Sequence, residues 1–187
     1  MVDPPLTEII EGKEISLRQS VPHALIASNI FRAFADYLHD DAAKGWAFSR
    51  SVDVRLDDEN IYLPDVKIVC NRAQIHDDGI YGAPALVVEV LSHRTVMNDR
   101  GPKMRHYAAA GVKEYWLVSP LEKSVEVYLN HDGTFELERS YAVYADWEIR
   151  QMNDEERAAL LAPIRVSLYD DLVIPVETIF RDVDIVS

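Results

Sequence analysis

Pro84-Ala85-Leu86-Val87-Val88-Glu89-Val90-Leu91-Ser92 decides how this chain is read. From Leu86 to Leu91 every residue but Glu89 is apolar, which predicts a central strand covered on both faces. A carboxylate there sits among side chains that exclude water, and an unpaired buried charge is strongly unfavourable. Three arrangements resolve the conflict: Glu89 pairs with a buried Arg or Lys, points to the solvent side of the sheet, or binds a metal. It does not stand alone. Pro64-Asp65 precedes Val66-Lys67-Ile68-Val69, so Asp65 is expected at the start of a neighbouring strand. Two carboxylates on adjacent strands make a hard, oxygen-rich site suited to Mg²⁺ or Mn²⁺, with waters and a substrate phosphate completing the shell. Lys67, two residues beyond Asp65, shares its strand face.

On the N-terminal side, residues 7–18 read as an extended segment turning at Glu11-Gly12. Ser20 and Pro22 then open a helix in which Leu25, Ile26, Ile30, Phe31, Phe34 and Leu38 recur at helical spacing. Val52, Val54 and Leu56 alternate with Asp53 and Arg55, as a strand with one wet face does. Asp57-Asp58-Glu59-Asn60 supplies a turn, Ile61 to Cys70 reads as the next strand, and residues 71–83 as a loop rich in Asp and Gly. On the C-terminal side, Asp99 to Ala110 has helical character and stops at Gly111. Asp99, Lys103 and Tyr107 stand four apart, on one helix face. Val112 to Val118 is another buried strand, with Tyr115 and Trp116 as core or interface residues. Asn130-His131-Asp132-Gly133 marks a hairpin between Val125–Leu129 and Thr134–Val143. A short helix near Asp154–Leu161, a strand at Ile164–Leu168 and an amphipathic piece ending at Phe180 close the chain. The order is helix, three strands, helix, strand and a hairpin extension, which predicts an α/β fold with a mixed central sheet flanked by helices. No linker divides residues 1–187, so one domain is expected.

The chain is 48% hydrophobic and 27% charged, a globular composition. No apolar stretch approaches a membrane span, and Met1-Val2-Asp3-Pro4-Pro5 lacks the features of a signal peptide. Cys70 is the only cysteine, which rules out an intrachain disulfide. A cytoplasmic protein without a membrane partner is the expectation. Cys70 continues an apolar strand pattern and is expected to be a small buried hydrophobe. The net charge of −13 argues against general electrostatic attraction to nucleic acid. The charge is uneven, however: Ser92 to Lys113 carries five basic residues and one acid, whereas from Asp132 onward 13 acids face 5 bases. These runs are either solvated faces or a basic border to a phosphate-binding cleft beside a solubilising acidic part, and charge does not choose between them. Zinc-ligand spacing, a P-loop and a dinucleotide fingerprint are all missing. Ser92 and Thr95 are read as shaping a turn, since no His is placed to activate Ser92.

Taken in order, Ile10-Glu11-Gly12, Val21-Pro22-His23, Leu63-Pro64-Asp65-Val66, Pro84 to Ser92, Asp99-Arg100-Gly101-Pro102-Lys103 and Tyr107 to Val118 form a specific set. Together they resemble the Uma2 family of the PD-(D/E)XK nuclease superfamily, over about Glu8 to Val143. The resemblance implies a restriction-endonuclease-like αβββαβ core and a Mg²⁺-dependent endonuclease that hydrolyses DNA phosphodiester bonds. Its two acids, the metal ligands, fall on Asp65 and Glu89. The superfamily's usual lysine, two residues after the second acid, is replaced by Leu91. Uma2-like sequences move that lysine to the following helix, where it maps to Lys103, with Asp99 one turn before it. The bland alternative is a surface Asp–Lys pair. Glu11 and His23 match family positions near the first helix and are accessory candidates, although an ordinary turn residue and a helix-start histidine would look the same. Lys67 ranks below Lys103 because the resemblance gives it no role. Leu91 and the net charge favour the rival reading, a noncatalytic nucleic-acid-binding or assembly module. A homodimer is expected, since cutting both strands commonly uses two copies of one site. Tyr128, Phe135, Tyr141 and Tyr144 of the hairpin region offer contact area for it. Lys103→Met is expected to fold normally, because Met keeps much of the aliphatic stem.

Overall fold

In the computed structural model, the described residues are 6–39, 41 and 43–183. Strands β1 (Thr7–Ile10) and β2 (Lys13–Ser16) pair as a hairpin about Glu11-Gly12, whose φ values of 51° and 72° are those a tight hairpin turn requires. Ser20 caps α1 (Val21–Leu38), its Oγ accepting the His23 N–H at 3.4 Å, and Pro22 occupies the first turn. His23, Ile26, Ile30, Phe34 and Leu38 form the buried stripe of this helix. Ser20→Ala is expected to cost about 1 kcal/mol, a drop of about 2–4 °C in a thermal melt for a chain of this size.

Then come β3 (Trp46–Ser49), β4 (Val54–Arg55), β5 (Ile61–Tyr62), β6 (Val66–Val69), β7 (Ile75–His76), β8 (Gly79–Tyr81) and β9 (Leu86–Val90). Two short helices, α2 (Val96–Asp99) and α3 (Pro102–Ala110), lead into β10 (Glu114–Ser119) and the long hairpin of β11 (Ser124–His131) and β12 (Thr134–Ala142). The chain closes with α4 (Asp146–Gln151), α5 (Asp154–Leu160), β13 (Ile164–Arg165), β14 (Val173–Ile174) and α6 (Val176–Ile179).

Two mixed six-stranded sheets result. The main sheet has the order β12-β11-β10-β9-β6-β3, antiparallel except for the parallel pair β9/β10. The second has the order β2-β1-β5-β4-β8-β7, with β4 and β8 parallel. Along the chain, α1, β3, β6, β9, α3 and β10 realise the αβββαβ order. The central strands of the main sheet, β6, β9 and β10, are buried on both faces. Val66, Ile68, Val88, Trp116 and Val118 pack in one cluster with α1 and with the C-terminal residues Ile164 to Val183. Val87, Tyr115 and Leu117 pack on the other side with Tyr107 of α3 and with Ile10 and Tyr62 of the second sheet. Glu89, two residues from Val87, faces this second side.

Several expected elements are corrected. The first strand of the main sheet is Trp46–Ser49, not Val52–Leu56; only Val54–Arg55 of the latter is a strand, and it lies in the second sheet. The expected strand Ile61–Cys70 breaks at Leu63-Pro64-Asp65, where the chain crosses from one sheet to the other. Pro64 has no N–H to give to a ladder, so the break falls there. Residues 71–83 contain the β7/β8 pair. The expected helix Asp99–Ala110 is interrupted at Arg100-Gly101 because Pro102, at the start of α3, cannot supply the next helical N–H. A Cβ on Gly101 would lie 2.5 Å from the Met97 carbonyl oxygen, so only glycine passes this close. At the C-terminus, α4 was not signalled, and the strand at Ile164 is two residues long. Cys70 is exposed, because β6 ends at Val69 and burial ends with it. The hairpin turns on Asp132-Gly133, both at positive φ. Its aromatics pack inward: Tyr141 is buried with the α1 side of the core, and Phe135 stacks on Tyr115 at 5.2 Å.

Candidate active site

Asp65 ends the sheet crossing. Val66 pairs with Val88, and the strands run antiparallel, so Asp65 and Glu89 stand level on neighbouring chains. The Val90 N–H donates to Asp65 Oδ2 at 2.8 Å, tying the two chains at that point. Asp65 is 2% exposed and Glu89 4%. Three side chains converge on Asp65 Oδ1: Gln19 Nε2 at 3.0 Å, His23 Nε2 at 2.9 Å and Arg50 Nη1 at 2.9 Å. Burial acts to raise the Asp65 carboxyl, but the His23 hydrogen bond and charge, Arg50 and the Val90 N–H hold it below the usual range.

Glu89 faces Lys103, whose Nζ lies 2.7 Å from Oε1. Asp99 and Tyr107 fulfil the expected one-face stripe despite the helix break. Asp99 Oδ1 is 3.3 Å from the same ammonium, and the Tyr107 hydroxyl donates to Glu89 Oε1 at 3.2 Å. A third carboxylate completes the ring. Glu8 of β1 accepts Lys103 Nζ at 3.0 Å and the Leu63 N–H at 2.7 Å. Lys103 is thus the cation at the centre of three buried acids, and three acceptors match the three N–H bonds of an ammonium. Burial works against its charge, yet Glu89 foremost, then Glu8 and Asp99, hold its pKa well above the ordinary lysine value. Burial pushes Glu89 up to about 8, against the pull of Lys103, and pushes Asp99 up as well.

Lys67 points to the same side and is fully buried, but its Nζ donates to the backbone carbonyls of Val52 and Pro64 rather than to a carboxylate. Burial pushes its pKa down to about 7, partly opposed by the nearby charges of Glu89 and Asp65. Glu11 is not brought to the site. As the positive-φ turn residue of the first hairpin it points outward, 3.7 Å from Arg105 and 3.8 Å from His106. Its place is taken by Glu8, three residues earlier on β1. Sequence reasoning also missed Gln19 and Arg50. Arg50 Nε is buried without a hydrogen-bond partner among the described residues.

Among the described residues, no three His, Cys, Asp or Glu are grouped so as to hold a metal ion by themselves. Asp65 and Glu89 nevertheless fit a hard divalent ion of the Mg²⁺ type, which commonly takes one or two protein carboxylates and fills its shell with water and substrate oxygens. No helix among the described residues is long and apolar enough to cross a membrane.

The profile of the family described as "Uma2: Putative restriction endonuclease" matches residues 3–155. An uncharacterized protein of Synechocystis sp. is 28% identical over 111 residues, which are 59% of this chain and 58% of that protein. The match therefore spans less than two thirds of the relative's length. A crystal structure titled as a "putative nuclease belonging to DUF820", from Anabaena variabilis, superposes with a TM-score of 0.71 at 20% identity, over 94% of this chain and 90% of that one. At that identity the likeness speaks for the shared fold.

Proposed function

The chain belongs to the Uma2 family of restriction-endonuclease-like proteins, and from that premise we propose that it is a metal-dependent endonuclease hydrolysing DNA phosphodiester bonds. One observation carries the reading: Asp65 and Glu89 stand level on adjacent chains, in a buried cluster whose lysine reaches Glu89 at 2.7 Å. Asp65 and Glu89 would hold Mg²⁺ or Mn²⁺. When bound, such an ion offsets charge on the phosphate and lowers the pKa of a water.

The rest is done by side chains. His23, Gln19 and Arg50 fix Asp65 ionised and aimed. Lys103 balances Glu89, Asp99 and Glu8 and holds Glu89 in place through the pair at 2.7 Å. With all three of its N–H bonds engaged, Lys103 serves the reaction as a fixed positive charge, the kind of preorganised partner that stabilises a charged transition state. Leu91 supplies nothing at the superfamily's usual lysine position, which favours the noncatalytic binding module as second reading.

Calorimetric titration with Mn²⁺ separates the two. The expected result is binding by the wild type and none by Glu89→Gln or Asp65→Asn, with a thermal melt verifying that each variant is folded at the titration temperature. Unchanged affinity in both variants removes the metal from the account. A wild type that cuts no nucleic acid with any divalent ion, yet binds it, selects the binding module. A homodimer is part of this proposal, since cutting both strands commonly uses two copies of one site, and sedimentation velocity at micromolar concentration reads the oligomeric state directly.

A further inference from the structure

Beside the buried carboxylates lies a cleft of about 910 Å³, walled by the segment entering α1, the β9–α2 loop and the β10–β11 turn. It reaches the edge of the site. His23 lines it while holding Asp65, and Leu91 lines it two residues beyond Glu89. Its charge is opposite to that of the −13 chain. Arg18 and Arg94 come from separate walls, both exposed, and neither makes an ion pair or hydrogen bond among the described residues. Arg100 adds a third guanidinium, shared with Glu126 at 2.6 and 3.0 Å. Glu122 is the one acid among the described lining residues. Between these charges the lining mixes small polar residues with apolar surface: Pro120 and Leu121 form the turn, and Leu121 is 85% exposed.

We propose that this cleft receives an unpaired nucleic-acid strand, with Arg18 and Arg94 on its phosphates and the Pro120-Leu121 turn against its bases. The inference rests on the nuclease reading for one point alone, that the strand's phosphate is delivered to Asp65 and Glu89. A basic channel with apolar contact surface is the general solution for single strands, because their base faces are open. A duplex hides those faces. It is also stiff over about 150 base pairs, so it must bend or fray locally before its backbone reaches carboxylates that are 2% and 4% exposed. A flexible strand, a frayed end or a loop needs no such deformation.

The test is fluorescence anisotropy with the full chain and excess chelator, so that binding is read without cleavage. The probes are one labelled oligodeoxynucleotide, the same sequence as RNA, and its blunt duplex. The single-stranded DNA is expected to bind at least tenfold more tightly than the duplex. The double variant Arg18→Glu/Arg94→Glu should lose at least tenfold of that affinity, and Leu121→Asp should lose affinity for the single strand only. These exposed positions leave the melting transition where it is, and a melt verifies that. Equal or tighter duplex binding, or full single-strand affinity in the double variant, overturns the inference, as does failure of the wild type to bind any probe. The RNA arm identifies which sugar the cleft accepts, and either single strand outbinding the duplex supports it. Single-strand binding without metal-dependent cleavage upholds the cleft and removes the nuclease reading. Cleavage that persists unchanged in the double variant does the reverse.

Discussion

Lys103→Met is expected to lower stability by about 3–5 kcal/mol, the scale for removing one partner of a buried ion pair. The loss of its fixed positive charge is expected to reduce cleavage about a hundredfold. From sequence, this substitution reads as harmless to folding because methionine keeps the aliphatic stem. The structure reverses that expectation. The ammonium sits 2.7, 3.0 and 3.3 Å from Glu89, Glu8 and Asp99, all buried, and methionine leaves three acids facing one another without a cation. The pH dependence follows from the sign of the shifts. Lys103 titrates well above 10.5 when folded, so its stabilisation is present throughout neutral pH and is lost only as pH rises beyond that range. In the variant, carboxylates already raised by burial rise further. A folded state that holds protons more tightly than the unfolded chain loses stability as pH rises through that window. The deficit is therefore expected to be larger at pH 8 than at pH 5, read from urea midpoints at both. Equal midpoints for variant and wild type at pH 8 would show that the acids are solvated and the cluster is not as described.

Lys67→Met is expected to do the opposite. Lys67 is fully buried, its ammonium is met by two carbonyls, and burial depresses its pKa from 10.5 to about 7. A group that binds its proton more weakly when folded burdens the native state below the folded pKa. That burden lifts as pH rises from about 7 towards 10.5, where the unfolded chain still holds the proton. The maximum slope is about 1.4 kcal/mol per pH unit. Methionine removes the charge but leaves the Val52 and Pro64 carbonyls without this donor, a loss of about 1 kcal/mol for each hydrogen bond. The variant is therefore expected to be more stable than the wild type by about 3 kcal/mol at pH 6, the depression converted at about 1.4 kcal/mol per unit less those bonds. Near pH 10 the advantage disappears. Urea denaturation of both proteins at the two pH values checks it, and curves that stay parallel sink the claim. The pair of variants also decides the catalytic lysine. Wild-type cleavage by Lys103→Met together with a dead Lys67→Met assigns the role to the strand residue.

What could be seen in the sequence depended on how far each residue's partners lay along the chain. Glu89 stood out because an acid inside Leu86–Leu91 breaks an otherwise apolar pattern, and Asp99, Lys103 and Tyr107 because helical spacing is local. Gln19 and Arg50 carried no such mark. They matter only because the fold brings them to Asp65, 46 and 15 residues away. Glu8 did leave a trace: it alternates with Ile10, a buried residue of the same strand face. The neighbouring Glu11-Gly12 turn drew the attention instead. The second sheet was largely invisible because its strands are two to four residues long, too short for alternation to register. The edge strand Trp46–Ser49 was missed for the same reason, being four residues of mixed character, only partly buried.

Glu8 and Lys103 are separated by 95 residues. On a ribosome the chain emerges N-terminus first, so the β1/β2 hairpin is synthesised long before the helix that neutralises its acid. Until α3 arrives, Glu8 lacks the ammonium that meets it in the folded chain, so burying it is unfavourable and the hairpin is expected to dock late. The candidate site is therefore closed by a contact that spans 95 residues, and contacts of high sequence separation close slowly. A nascent or truncated chain lacking α3 carries Glu89 without the cation that holds it, so under the proposed function cleavage is expected only from chains in which that helix has docked.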